Sequence, residues 1–263
     1  MTRTRIQEYL EKYADQSIRL TPHALQKTGL VQSQVFLKIA DYLLICAPYQ
    51  LSMTRGIFLV VLSPQEIAFF QQFQGKLCSI NLTFQSSAGK QPLTLLIRAS
   101  LDRVGPVKGR QNVCMMDALI KSCPNDLVAI IGDYITAYEG LKSQFETFRN
   151  KQVAMDEANA KLMRFNNYAE LTVGQAKTRA TLLALSVMSL TLRPSMEIPG
   201  VEVGAPCSTR LYFQVYQFTV NGSITGVERD AHGQSVVTVT IDFAPELTEI
   251  VDDFFFRTTV GGQ

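Results

Sequence analysis

Two serines stand in a run where apolar residues dominate. The stretch Arg179–Leu192 is rich in Leu, Val and Thr, yet it carries Ser186 and Ser189. Hydroxyls in such a strand-like run must find hydrogen-bond partners or face a ligand. Other chemistry has few candidates. His23 and His232 are the only histidines, and no cysteine or carboxylate cluster joins either at metal-site spacing. Cys46, Cys78, Cys114, Cys123 and Cys207 are scattered and form no C-x-x-C pair, which fits reduced, buried thiols. Gly105 and Gly109 lie in a segment without a phosphate-loop signature and read as a turn. With no concentrated set of nucleophile, acid and base, the chain is expected to be non-enzymatic, without cofactor or metal.

The elements that would position these serines follow from patterning. Tyr168–Gly174 and Arg179–Leu192, two runs rich in Val, Leu and Thr around the polar turn Gln175–Thr178, predict a β-hairpin. This hairpin would form the ligand face, or former ligand face, of a small β-barrel. Before it a strand is expected at Val153–Met155 and a short helix from Asp156 to Met163. Long strands are expected at 210–220, 223–228 and 236–243, with turns at Val220-Asn221-Gly222 and Asp230–Gln234, and then a helix from Pro245 to Phe256. Residues 258–263 should fray. The aromatic set Tyr212, Phe213, Tyr216 and Phe218 mixes both strand faces and reads as core by default.

The first half has the same texture. A helix is expected over 5–13, an irregular lead-in over 16–32, and strands over 35–39, 42–46, 57–62, 77–84, 93–99 and 113–120. Ser63-Pro64-Gln65-Glu66 carries a capping box and a proline at the first helical position. From Pro124, apolar residues at helical spacing run towards Phe148, followed by the polar joint Arg149-Asn150-Lys151-Gln152. No internal repeat of useful identity is visible. The expectation is a mainly β protein with helices: two small β-barrel domains joined by a helical connector, divided as 1–140, 141–152 and 153–263.

Length and composition suit this plan. The chain has 263 residues, 46% hydrophobic and 18% charged, enough for two real cores. A net charge of +2 is too weak an imbalance to argue for nucleic-acid or membrane-surface binding. The N-terminus has no apolar core of signal-peptide type, and the apolar runs are too short to span a bilayer as a helix. A soluble cytoplasmic protein is expected.

Taken together, these segments resemble the PilZ family, receptors for cyclic di-GMP, in the spirochaetal two-domain form. In the first half the matching landmarks are Phe36–Tyr42, Leu62–Phe70, Gly109–Val113 and Cys123–Leu127; in the second, Ala184-Leu-Ser-Val-Met-Ser189. The resemblance implies a messenger effector that relays ligand level to a protein partner, with motility the family's output. It also implies an R-x-x-x-R joint and a D/N-x-S-x-x-G strand segment as the ligand grip. Arginine suits that task because its planar fork pairs bidentately with phosphate and covers an aromatic face. Here Phe148 and Gln152 stand at the arginine positions, Ala184 at the acidic position and Ser189 at the glycine position; only Ser186 matches. The ligand residues that the resemblance leaves are Arg149, Lys151, Arg164, Ser186 and Ser189. Each lost hydrogen bond to a charged group is worth about 1.5–3 kcal/mol, so two losses weaken binding by roughly a hundred- to ten-thousand-fold. The alternative reading is a nucleotide-blind relative acting as an interaction or scaffold module.

Overall fold

The structure is a computed structural model that describes residues 3–85, 91–214 and 217–260. The chain divides into two compact units, Met1–Ala137 and Tyr138–Gln263. Each has its own buried hydrophobic cluster.

In the first unit, α1 (Arg3–Tyr13) buries Tyr9 and Tyr13. The expected irregular lead-in is instead ordered as β1 (Ile18–Arg19) and α2 (Pro22–Thr28). Its signals are local: the Thr21 hydroxyl caps Ala24 N–H, Pro22 opens the helix, and Gly29 at φ 74° ends it. A side chain at Gly29 would also press on the Gln85 carbonyl oxygen at 2.6 Å. Then follow β2 (Phe36–Ile39), β3 (Tyr42–Ile45), β4 (Ala47–Leu51), β5 (Arg55–Val61), α3 (Pro64–Gln71), β6 (Leu77–Phe84), β7 (Leu93–Pro106) and β8 (Val113–Ile120). The capping box opens α3 as expected: Ser63 Oγ accepts from Glu66 N, and the Glu66 carboxylate accepts from Ser63 N.

These strands form an eight-stranded antiparallel sheet in the order β1-β4-β5-β8-β7-β6-β2-β3. β3 lies at one end, yet only Cys46 separates it from β4, next to the other end. One bent strand thus pairs with β2 through its first half and with β5 through its second, which closes a six-stranded cylinder.

The second unit has β9 (Val153–Ala154), α5 (Glu157–Met163), β10 (Phe165–Val173), β11 (Ala176–Leu185), β12 (Ser189–Pro194), β13 (Pro206–Phe213), β14 (Gln217–Arg229), β15 (Ser235–Ile241) and α6 (Pro245–Val260). The β10–β11 ladder closes the remaining six strands into a barrel, with β9 added beside β11. α4 (Asn125–Phe148) starts in the first unit, burying Leu127, Val128 and Ile131, and ends in the second with Phe148 in its core.

Four further expectations are corrected. Arg179–Leu192 is not one strand but β11 and β12 around a tight turn at Ser186–Met188. The single strand expected over 210–220 is a hairpin, Tyr212 pairing with Gln217; Val215 and Tyr216 lie outside the described residues. Asn221-Gly222 is not a turn but the interior of β14. Gly222 is needed for a close strand approach, since a Cβ there would overlap the Thr240 carbonyl oxygen and stand 2.8 Å from Ile241 Cα. α6 runs on through Val260, past the start of the expected frayed tail, while 261–263 lie outside the described residues.

The two barrels also repeat one another in strand order, although the sequence shows no repeat of useful identity. One cycles β2, β3–β4, β5, β8, β7, β6; the other cycles β10, β11, β12, β15, β14, β13. The sequential strands correspond one to one. Seven-residue helices α2 and α5 precede the equivalent strands β2 and β10. In register, β6 reads Leu-Cys-Ser-Ile-Asn-Leu-Thr-Phe and β13 reads Pro-Cys-Ser-Thr-Arg-Leu-Tyr-Phe, alike at four of eight positions. The repeat is hidden in the sequence because few side chains match across the equivalent first strands, and because the offset between equivalent positions changes beyond the third strand.

Candidate functional site

The β11–β12 turn decides what Ser186 does. Ser186 Oγ accepts hydrogen bonds from the backbone N–H of Met188 at 3.1 Å and Ser189 at 2.9 Å. It lies 2.9 Å from Ser189 Oγ, and its own N–H donates to the Ser189 carbonyl at 2.8 Å. A hydroxyl has two lone pairs and one proton. With both lone pairs taken by backbone, its proton goes to Ser189, and the buried side chain is satisfied within the turn.

The first barrel makes the same turn. Leu51 pairs with Ile18 as Leu185 pairs with Val153, and each leucine is followed by a buried serine. Ser52 Oγ accepts from Thr54 N at 3.2 Å and Arg55 N at 2.9 Å, and Ser52 N–H donates to the Arg55 carbonyl at 2.8 Å. The serine is therefore a turn-former in both barrels. Ser186→Ala and Ser52→Ala are each expected to lower stability by about 1–2 kcal/mol, read from the urea midpoint, whether or not a ligand is present.

The basic joint reaches the same edge. Val153 lies opposite Leu185 in the β9–β11 register, so Gln152 and Ser186 continue from a paired position. The joint's side chains are engaged otherwise. Phe148, the last residue of α4, is buried and stacks on Phe255 at 5.3 Å and 17°. Lys151 Nζ sits over both rings, 5.1 Å from the Phe148 centroid and 4.9 Å from that of Phe255, a cation–π pair. Arg149 lies 3.7 Å from Glu146 with both side chains more than half exposed, a loose surface pair of little energy. Arg164 is exposed and ends α5 in the left-handed region at φ 58°. Its carbonyl accepts from Gln214 N at 2.9 Å.

Equivalence with the first barrel explains Phe148. Lys151 N donates to the Phe148 carbonyl at 2.9 Å, as Gln16 N donates to the Tyr13 carbonyl at 3.0 Å. Tyr13 ends α1 and is buried like Phe148. In each barrel an aromatic residue at this position plugs the core.

The sequence missed a second polar cluster, on the outer wall of the second barrel. Arg179 lies over the Tyr168 ring at 4.4 Å, and Tyr168 stacks on Tyr212 at 4.7 Å. Glu170 accepts from the Tyr212 hydroxyl and from Lys177 Nζ at 2.9 Å, and these partners hold its carboxyl below the usual carboxylate range. Cross-strand pairing of Glu170 with both Arg179 and Arg210 was the recoverable signal, but it needs the register. A depressed carboxylate stabilises the fold above its unfolded value of 4.5, and that stability is lost as pH falls through the folded value. Glu170→Gln is expected to flatten the decline of melting temperature below pH 4.5. A polar cleft of about 560 Å³ lies on the same barrel, lined among others by Thr172, Ser208, Asn221 and Asp242. None of the five expected ligand residues lines it.

The cysteines are unsuited to nucleophilic work. Burial pushes the Cys46 thiol up to about 12 and those of Cys78 and Cys123 to about 11. Among the described residues, no group of three or more His, Cys, Asp or Glu could hold a metal ion, and no helix is long and apolar enough to cross a membrane.

Fold and site together define a duplicated six-stranded barrel protein. Residues 4–138 match the PilZN3 domain, just over half of the chain, and the chain belongs to that family. The sequence matches no curated protein. Among solved structures it resembles the Borreliella burgdorferi PlzA protein in complex with c-di-GMP, at 14% identity and TM-score 0.47, over 96% of this chain and 98% of that one. It also resembles the K. pneumonia MrkH–c-di-GMP complex at 6% identity and TM-score 0.34, over 88% and 89% of the two chains. For Escherichia coli YcgR in complex with c-di-GMP the values are 9% and 0.31, over 91% and 88%.

Proposed function

We propose that this chain is a non-enzymatic PilZ-type binding module that has kept the receptor scaffold and lost a strong grip on cyclic di-GMP. It acts by contact with a protein partner. The observation that carries this reading is Phe148, which stands at the joint's first arginine position and is committed to the core against Phe255. Ser186, the one residue matching the strand motif, has its hydrogen bonds used inside its own turn. Ala184 offers no side-chain hydrogen bond to a base edge.

A second reading, a weakened but working receptor, draws support from the register that pairs Val153 with Leu185, the neighbours of Gln152 and Ser186. In it, Arg149, Lys151 and Arg164 hold the phosphates, and Ser186 and Ser189 face the ligand. Thermal melting separates the two. A ligand bound at a hundredfold excess over its dissociation constant stabilises the folded state by about 2.7 kcal/mol, a shift of several degrees. The first reading expects no shift with about 1 mM cyclic di-GMP; the second expects one that Arg149→Ala and Lys151→Ala reduce.

A further inference from the structure

The two barrels share one wall in register and differ sharply in its chemistry. In the second barrel, Lys177 and Arg179 of β11, Glu170 of β10 and Arg210 of β13 occupy the outer face. The equivalent positions in the first barrel are Leu43 and Ile45 of β3, Phe36 of β2 and Asn81 of β6. Leu96 of β7 extends this row, since it pairs with Asn81. Leu43, Ile45 and Leu96 are 64%, 70% and 73% exposed. The second barrel demonstrates that this wall can be built from charged residues, so the fold does not require the leucines and isoleucine. Exposed apolar side chains gathered on one face mark an interaction surface.

The charges on the wall indicate its occupant. The neighbouring row runs Leu43–Lys38–Ser79–Arg98 across β3, β2, β6 and β7. Lys38 and Arg98 line an open cleft of about 530 Å³ with Leu77, Ser79 and Leu96. Neither row contains a carboxylate. A second copy meeting this face with its own would set cations against cations, and the wall of the second barrel is also cation-rich. Flat apolar contact with a lipid surface suits protruding loops better than a sheet face carrying a cleft.

We infer that the β3-β2-β6-β7 wall of the first barrel docks a protein segment that alternates apolar and acidic residues. Its apolar side chains cover Leu43, Ile45 and Leu96, and its carboxylates meet Lys38 and Arg98. This surface is independent of any nucleotide site on the second barrel.

The test uses the full chain and two labelled peptides, one alternating Leu with Glu and one alternating Leu with Lys. Fluorescence anisotropy is expected to show the Leu/Glu peptide binding at least about tenfold tighter. The Lys38→Glu/Arg98→Glu variant is expected to reverse that preference, and Ile45→Lys/Leu96→Lys to abolish binding of the Leu/Glu peptide. Methyl NMR is expected to place the perturbations on Leu43, Ile45, Leu77 and Leu96. Circular dichroism confirms that each variant folds. Equal affinity for the two peptides, or perturbations confined to the second barrel, overturns the inference. So does sedimentation with phosphatidylglycerol vesicles that Ile45→Lys/Leu96→Lys abolishes, which assigns the face to a membrane. Concentration-dependent self-association lost in the same variant assigns it to a second copy and overturns it equally.

Discussion

Phe148→Ala is expected to destabilise the protein by about 3–5 kcal/mol, the range for deleting a buried phenylalanine. The ring is 8% exposed, belongs to the second core, and stacks on Phe255. Its loss opens a cavity and also removes half of the aromatic platform beneath Lys151. Phe148→Arg, which introduces the arginine that the resemblance to PilZ proteins would place here, should not rescue that loss. It places a charged guanidinium where an apolar ring was packed against Phe255. Urea denaturation checks both variants, with a fall in midpoint at unchanged slope as the expected result. A Phe148→Arg protein as stable as the parent would show that the position is free to hold a phosphate-gripping side chain.

Gly222→Ala is expected to cost at least about 3 kcal/mol, at the upper end for overpacking. The added methyl group would meet backbone on the facing strand: the Thr240 carbonyl oxygen and Ile241 Cα. Backbone held in the β14–β15 ladder cannot swing aside as a side chain can, and Gly222 pairs directly with Ile241. Gly226→Ala on the same strand is the control. There a Cβ would meet only the Thr238 side chain at 3.5 Å, ordinary contact, so the cost should be small. Thermal melting of the pair gives the difference directly.

Much of the architecture was legible in the sequence because it rests on local rules. The capping box at Ser63, the long helix from Asn125 and strands such as Val113–Ile120 each announce themselves within a few residues. What was hidden depends on pairing between distant strands. Asn221-Gly222 has the composition of a turn, but its glycine answers to Thr240 across the ladder. The apolar run Arg179–Leu192 gives no local sign of a bend, because the bend is made by the Ser186 hydroxyl capping backbone. The repeat of the two barrels shows in their common strand order and in the turn that Ser52 and Ser186 each close. The site reading shifts for the same reason. The sequence marks Ser186 as a polar residue in need of partners, and those partners lie within the turn itself.

The second barrel is proposed to keep the frame of a receptor while its joint is given over to packing. Isothermal titration of the full chain with cyclic di-GMP tests it most directly, with Arg149→Ala titrated alongside. The account predicts no saturable heat from either protein at ligand concentrations up to about a hundred micromolar. Saturable micromolar binding by the parent chain, lost in Arg149→Ala, would contradict it.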